Sequence, residues 1–566
     1  EEFNNNTDPQ NSDTDGDSLP DGWEVAKGTD PLEASGDADG DDLPDEWEHA
    51  FGVDAASADP DGDSFSNLWE YQFLTDPKDQ QSVPQDFETT AVEGTNGSDL
   101  QAALDSAEPF TRVLLQAGTY EGNFKVNTSL LVEGQDQVET ICDGNQGGSV
   151  FTLNGGAHVV FRQQEITRGR SSLGAGINGE NADFIGLINI KLDRNTATEG
   201  DGGGVYIGNI ATLKDCTISY NSAEQGRGGG IYGSTSGYIR TVNTDFRNNS
   251  AWTAGGGMYL DKSCDADISG TAFDNNSSGS KDAGNDIGLG GGIFVHDNCV
   301  VTITDTAYNR NNAQGGGERS GYGGAMYVNQ SGLVEGSGVT FPRNRAWEDG
   351  GAVSATDSAQ LELENVIFNE NHAERNGGAV ASFDSSSLVL INALAKGGFV
   401  SQYGGGFFVS NSSTMTLKNG TVVGNTAVDS GGGIAAKEVG AAIYLHNTII
   451  HGNRAGTGSS QIARLQSPTV NVQYCMVEGG YPGDGNVSGN PGFVSAGTWH
   501  DGGTPDNYED DWWEDGDYHI TDASPALNAG NKSLLSGDIT EDLGGNPRVV
   551  NSSIDIGAYE WQSEVQ

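Results

Sequence analysis

Short runs in which apolar and polar residues alternate recur along most of the chain. Ala211-Thr-Leu213-Lys-Asp-Cys-Thr-Ile218 is one and Gln360-Leu361-Glu-Leu363-Glu-Asn-Val366-Ile367-Phe368 is another. Period-two alternation rich in Val, Ile, Thr and Phe predicts strands rather than helices. A Gly pair followed by an apolar or small residue punctuates the runs at Gly203, Gly229, Gly256, Gly291, Gly323, Gly350, Gly377, Gly405 and Gly432, in steps of 26, 27, 35, 32, 27, 27, 28 and 27 residues. A fixed period in this range predicts a solenoid. About 27 residues suit three short strands plus turns, one coil of a parallel β-helix, with coils stacked ~4.8 Å apart. The Gly pairs belong where a coil turns sharply or backbones approach closely.

A second phrase, Asn-x-Ala, follows the same period, at Asn195, Asn221, Asn249, Asn311, Asn344, Asn371, Asn425 and Asn453. One Asn at the same place in each coil predicts a ladder of side-chain amides bonded to their neighbours above and below. The two long steps imply insertions around 278–288 and 314–320, and insertions on a solenoid usually gather on one face. Ahead of the clear repeats, Asp99-Leu-Gln-Ala-Ala-Leu-Asp-Ser-Ala107 predicts a short amphipathic helix. It resembles the helix that covers the first coil of pectate-lyase-like right-handed β-helices, and a cover is physically needed over an open strand edge. The expected fold class is thus all-β, a right-handed parallel β-helix over residues 81–470.

The chemistry of the chain concentrates before that solenoid, in residues 1–80. Asp13-Thr-Asp15-Gly-Asp17-Ser-Leu19-Pro-Asp21-Gly-Trp-Glu24 is followed by Asp37-Ala-Asp39-Gly-Asp41-Asp-Leu43-Pro-Asp45-Glu-Trp-Glu48. Asp59-Pro-Asp61-Gly-Asp63-Ser-Phe65-Ser-Asn67-Leu-Trp-Glu70 is the third copy. Oxygen donors stand at positions 1, 3, 5, 9 and 12, with a backbone carbonyl at position 7 from Leu19, Leu43 or Phe65. This is the donor set of a twelve-residue calcium loop closed by a bidentate Glu, and packed carboxylates need a cation to offset their repulsion. Gly stands at position 4, unlike an EF-hand. The pattern resembles the bacterial thrombospondin type 3 repeat over about residues 7–79, including the Thr-Asp-Pro exit at Thr29-Asp30-Pro31 and Thr75-Asp76-Pro77. Gly52-Val-Asp54-Ala departs from that exit. Position 6, often Gly in that family, is Ser18, Asp42 and Ser64. The resemblance implies a calcium-rigidified spacer or contact module.

Asp and Glu outnumber Lys and Arg 81 to 27, a formal net charge of −54 over 566 residues. That charge excludes nucleic acid and disfavours anionic membranes. No apolar run approaches the length of a transmembrane helix. The chain opens on Glu-Glu-Phe and reads as processed, in keeping with secretion to an extracellular or cell-surface setting. Cys264 and Cys299 each follow a Gly pair at the same offset, so they are expected to stack on successive coils and to form a disulfide. Cys142, Cys216 and Cys475 have no evident mates.

After Asn453 the repeat fades, and residues 471–566 carry other phrases: Gly485-Asn486-Val-Ser-Gly-Asn490-Pro491-Gly-Phe493, Ser524-Pro525-Ala526, Gly545-Asn546-Pro547-Arg548 and Asp555-Ile-Gly-Ala-Tyr559-Glu560. Together they resemble the C-terminal region of secreted bacterial β-helix proteins of the choice-of-anchor type. Within it, Trp512 and Trp513 lie among acids in 506–517, a stretch read as a packed insertion or as a sugar-stacking or calcium-binding loop. The Gly-Gly and Phe-x-x-Asn phrases (Phe246–Asn249, Phe368–Asn371) also resemble the repeats of chlamydial polymorphic membrane proteins, β-helical adhesins.

Two functions fit. A calcium-stabilised structural or adhesive surface protein is the first; it would self-associate into a filament or layer, the acidic module of one subunit docking on the next, or would hold a polysaccharide or another surface protein. A polysaccharide lyase or glycoside hydrolase acting on acidic polysaccharides is the alternative. For that alternative, bases are sparse (Arg310, Arg343, Arg345, Arg375, Lys396), and no catalytic motif stands out. Arg345 and His372 should stack on successive coils, with Glu348, Asp349 and Glu374 near enough to pair with them.

Overall fold

The computed structural model describes residues 7, 12–15, 19–279, 287–315, 320–500, 502–503, 511–535 and 539–562. Among them the chain is a parallel β-helix carrying a small helical module on its flank. Three sheets run the length of the solenoid: a 27-stranded one built from a five-residue and a three-residue column side by side, a 13-stranded one, and an 11-stranded one of two-residue strands. Thirteen strands at ~4.8 Å per coil make a rod of roughly 60 Å.

The alternation sets the faces as expected. In Gln360–Glu364, Leu361 and Leu363 point into the core while Gln360 and Glu362 are exposed. Inside, Phe246, Phe273, Tyr308, Phe341 and Phe368 form one stack with centroids 4.6–5.1 Å apart. After three short helices of the module, α1 (Asp21–Lys27), α2 (Asp45–Phe51) and α3 (Asn67–Phe73), helix α4 (Gly97–Ser106) covers the first coils with Leu100, Ala103 and Leu104, and Asn96 caps it by accepting from the Asp99 amide. It begins two residues before the expected start, because Asn96 rather than Asp99 is the cap.

The period is more regular than the Gly pairs indicate. Met326 pairs with Val353 and Val380 with Phe407, each 27 residues on, while Ile293 pairs with Met326, 33 on. The pairs counted in the sequence sit one place later in some coils, because the turn holds three small residues. The first has positive φ, as at Gly202 (72°) and Gly350 (72°). The second must lack a Cβ because the next coil's carbonyl lies against it, 2.4 Å from a Cβ at Gly203 and 2.3 Å at Gly351. At the two insertions, Ile287–Leu289 and Ser320–Tyr322 pair as a separate parallel ribbon; residues 280–286 and 316–319 lie outside the described residues.

The Asn ladder is present, fully buried, and longer than the phrase suggested. Asn195, Asn221, Asn249, Asn276, Asn311, Asn344 and Asn371 form a continuous run in which each Nδ2 donates to the next Oδ1 at 3.0–3.1 Å. Gly398 interrupts the run, and Asn425 and Asn453 resume it. Asn276 is a member that Asn-x-Ala missed, because Ser278 stands where the other coils have Ala.

The disulfide is not there. Cys264 and Cys299 are free, buried thiols among the core residues of adjacent coils. They stack in register as expected, next to the Ala266–Val301 pair. Stacking also explains why they do not join: parallel Cα–Cβ bonds keep the Cβ atoms at the coil rise of ~4.8 Å, whereas a disulfide needs them ~3.8 Å apart and turned toward each other.

After Val477 the chain leaves the solenoid and folds back along it. Two antiparallel ribbons, Phe493–Ser495 with Asp517–Ile520 and Thr498–His500 with Trp512–Glu514, lie against the later coils. Asn392 and Asn447 fasten the tail by donating to the Glu541 and Asn531 carbonyls. Buried Arg548 donates to the Gly557 carbonyl at 2.7 Å.

Candidate metal centres

Each acidic repeat folds as a loop leading into a seven-residue helix: α1 (Asp21–Lys27), α2 (Asp45–Phe51) and α3 (Asn67–Phe73). Pro20 and Pro44 sit at the helix starts, where fixed φ and a missing N–H cost nothing. Gly28 and Gly52 end α1 and α2 in the left-handed conformation, and Leu74 takes that place after α3. Leu19 and Leu43, whose carbonyls were read as ligands, bury their side chains with Trp47, Ala56, Leu68 and Tyr71 in a core that belongs to the module.

The Trp at position 11 joins each unit to the next. Trp23 meets Phe51 at 6.0 Å and Trp47 meets Tyr71 at 5.9 Å. Trp69 has no fourth unit to meet and uses the rod. It packs with Phe65, Leu131, Val160 and Phe184, and its Nε1 donates to the His158 carbonyl at 3.1 Å. The Ser66 hydroxyl lies 2.8 Å from His158 Nδ1, and burial drives the His158 pKa down to about 4. Arg240 donates to the Asp59 and Pro60 carbonyls at 3.3 and 3.0 Å. Gly186 lacks a side chain where the rod meets the loop: a Cβ there would stand 2.3 Å from the Ser64 carbonyl. The module therefore docks on its own solenoid.

Docking buries the third loop. Asp59, Asp63, Asn67 and Glu70 are at most 5% exposed. One ligand oxygen each from Asp59, Asp61 and Asp63 falls within 4.8 Å of the others. Backbone amides hold part of each group: Asp59 accepts from Gly62 and Ser64, Asp61 Oδ1 from Asp63, and Asp63 Oδ1 from Phe65. The remaining oxygens, Asp61 Oδ2, Asp63 Oδ2, Asn67 Oδ1 and both carboxylate oxygens of Glu70, accept no hydrogen bond among the described residues. Burial first, then mutual repulsion, raises Asp61 to about 7, Asp63 to about 8 and Glu70 to about 10. Buried, unsatisfied, all-oxygen donors fit a hard cation.

The second loop brings Asp37, Asp39 and Asp41 together, and separately Asp39, Glu48 and Asp54. Asp54 went unrecognised in the sequence. It stands in Gly52-Val-Asp54-Ala, the exit that departs from Thr-Asp-Pro. In the other two exits the equivalent Asp30 and Asp76 accept from the backbone amides of Leu32 and Lys78 instead. Burial and the neighbours Asp41, Asp39 and Asp54 lift Glu48 to about 7. Among the described residues position 9 is not grouped with the acids in the first two loops: Asp21 accepts from the Thr14 amide and Asp45 from the Ala38 amide. In the first loop Glu24 is fully buried, Asp13 and Asp15 are described, and Asp17 and Ser18 lie outside the described residues. Position 6 is left-handed at Asp42 (φ 74°) and Ser64 (φ 81°), which accounts for the Gly common there in similar repeats.

The basic stripe on the rod is engaged in ion pairs. Arg345 and His372 stack in register, and both reach Glu374, at 2.5 and 3.4 Å. The His372 imidazole beside it, aided by Arg345, holds Glu374 down at about 2. Arg375 pairs with Glu348 and Asp349, and Arg343 with Glu370. Among the described residues no helix is long and apolar enough to cross a membrane.

The chain matches no protein-family model and no curated protein. Among solved structures it is similar to pectate lyase Pel9A, at 14% identity over 84% of this chain and 98% of that one, TM-score 0.29. It is similar to the catalytic domain of Agl-KA at 13% identity over 69% of each chain, TM-score 0.28. The ORF18 protein of Geobacillus virus E2 shares 11% identity over 68% of this chain and 60% of that one, TM-score 0.19. Likenesses at this level say nothing of activity, and the parallel β-helix stands on the strand register described above.

Proposed function

We propose that the chain is a calcium-stabilised structural or adhesive protein of the cell exterior, a rigid rod whose acidic module is locked to its flank by bound calcium. The observation that carries this reading is the third loop. Glu70 is wholly buried beside Asp59, Asp61 and Asp63, with both carboxylate oxygens unsatisfied, at the place where the module meets the rod. Asp59, Asp61, Asp63, Glu70, the Asn67 side chain and the Phe65 carbonyl would hold the ion, which adds positive charge beyond that of Arg240 at the loop's edge. Calcium takes six to eight oxygens in flexible geometry, whereas magnesium keeps several of its waters, so a crowded set of protein oxygens favours calcium. Of the five candidate bases, Arg343, Arg345, Arg375 and Lys396 pair with carboxylates, while Arg310 has no ion pair among the described residues; a lyase needs a free base, so the pairing of the four supports a structural role.

On this reading Trp69 docks the module within one chain, and self-association into a filament or layer uses other surfaces of the rod. Electron microscopy with calcium, then with chelator, tests the reading together with differential scanning calorimetry. Calcium should raise the unfolding temperature of the module and, in assemblies, hold arrays together. A calcium-independent melting curve would overturn it.

A further inference from the structure

On the flank of the later coils lies a cleft of about 490 Å³ lined by Arg343, Glu370, His372, Phe399 and the ribbon Trp499, Asp511–Asp515. That volume is within the range of small-ligand sites, roughly 300–1,000 Å³. The ribbon is seated by Trp513. On earlier coils the position just before the ladder residue carries side chains such as Arg343 and Glu370, but Gly397, Gly424 and Gly452 occupy it on three successive coils, and Trp513 lies against the first two. A Cβ at Gly424 would stand 2.4 Å from the Trp513 ring and one at Gly397 would stand 3.4 Å from it. The Trp513 N–H donates to the Tyr518 hydroxyl at 3.0 Å, and Lys396 pairs with Asp515. The wall is therefore anchored.

With Trp513 committed to packing, Trp512 faces outward at 55% exposure. One face of its indole is stacked by His500, with centroids 4.0 Å apart and planes at 10°, and His500 is itself held by Glu514 at 2.7 Å. Among the described residues no other ring stacks on the indole, and Trp512 lines the cleft. Trp499, also in the wall, is braced by Arg454, and its N–H has no acceptor among the described residues. A rigid, exposed indole face beside paired carboxylates and a histidine suits a ring with an apolar C–H face and a hydroxyl-bearing edge.

We propose that this cleft binds a neutral oligosaccharide, a pyranose ring lying on Trp512 and its hydroxyls meeting Glu370, His372 and Asp511. Charge decides against a polyanion. Arg343 is matched by Glu370, Lys396 by Asp515, Arg454 by Asp511 and His372 by Glu374, in a chain of net charge −54. A uronate would meet cations already paired with carboxylates, and would enter against the field of the whole molecule. A neutral glycan meets no such barrier.

The test is affinity electrophoresis of the full chain in gels carrying hydroxyethylcellulose, galactomannan or arabinoxylan, set against polygalacturonate and alginate. At least one neutral polymer should retard the protein, and the polyanions should not. Trp512→Ala should weaken that retardation at least tenfold with the melting temperature unchanged, and Trp512→Phe should keep part of it. Retardation by none of the neutral polymers, stronger retardation by a polyanion, or full retention in Trp512→Ala would each overturn the proposal. The cation loops pack on other coils, around Leu131–Arg240, so chelation should leave glycan binding intact and the two readings fail separately.

Discussion

Replacing Glu70 by Gln separates a cation ligand from an ordinary buried acid. Burial and three neighbouring carboxylates hold the Glu70 pKa near 10, against an ordinary value of 4.5. Without a cation at pH 7.5 the group keeps its proton, and ionising it there costs about 3 kcal/mol, 2.5 pKa units at 1.36 kcal/mol each. Calcium must displace that proton and most of the one on Asp63, held near 8. With the part-occupied proton on Asp61, held near 7, calcium uptake at pH 7.5 should therefore release about two protons from this loop, measured by titration calorimetry in buffers of different ionisation enthalpy. Glu70→Gln mimics the protonated state. Its cation-free stability should match the parent within about 1 kcal/mol, while proton release falls by about one and calcium affinity of the loop drops at least tenfold. The pH trend follows with its sign. Between about 4.5 and 10 the folded, cation-free protein holds protons that the unfolded chain has lost, so its stability falls as pH rises through this window and saturating calcium should abolish the fall. Calcium binding with no proton release, or equal release in Glu70→Gln, would refute the assignment of Glu70 as a ligand.

Further expectations concern the docking and the ladder. Trp69→Ala should cost about 3–5 kcal/mol, the usual loss for a fully buried Trp, read as faster proteolysis between the module and the rod while the rod's own melting is unchanged. His158 is neutral under the module with its pKa near 4, so docking should hold above pH 6.5 and weaken as pH falls toward 4, by up to about 3 kcal/mol; His158→Gln should flatten that profile, followed by Trp fluorescence. Ser64→Gly removes both a left-handed non-glycine and a buried hydroxyl without a partner, and should stabilise the module by about 1 kcal/mol in calcium-loaded urea unfolding. Asn311→Ala breaks bonds to Asn276, Asn344 and Phe273 and should cost more than Asn371→Ala, because Asn371 ends its run at Gly398 and donates only to the Phe341 carbonyl; urea midpoints compare the two.

The solenoid was legible because its causes are local and repeated. Alternating strands, the small-residue turn and the ladder Asn each recur in every coil, so their period shows in one dimension. The errors have physical origins too. Asn-x-Ala missed Asn276 because only the Asn bonds along the ladder, and the residue two on needs merely to be small. Equal offsets placed Cys264 above Cys299 correctly but could not reveal that stacking keeps their side chains parallel. Asp54 was missed because it approaches Asp39 and Glu48 from the loop's exit, outside the twelve-residue frame. The seating of Trp69 was invisible because Leu131, Val160, Phe184 and Gly186 lie far along the chain, and nothing local marks them as a dock. The first coils of the same chain supply the partner that Trp69 lacks among the repeats.

That seating couples the cation to docking. Loop three is pressed from outside by its module and from inside by Arg240, Gly186 and His158, so its acids lose solvent only when the module is docked. A cation that offsets their repulsion thereby favours docking, and docking favours the cation. The rod needs neither, since its core of stacked aromatics, ladder amides and the α4 cover closes on itself. Chelation should consequently split unfolding into two steps, an early one that frees residues before Thr89 and a late one at the unaltered midpoint of the β-helix. A single transition that shifts as a whole would mean that the rod depends on the cation as well, and that the loop acts as a keystone of the solenoid instead of a clasp on its side.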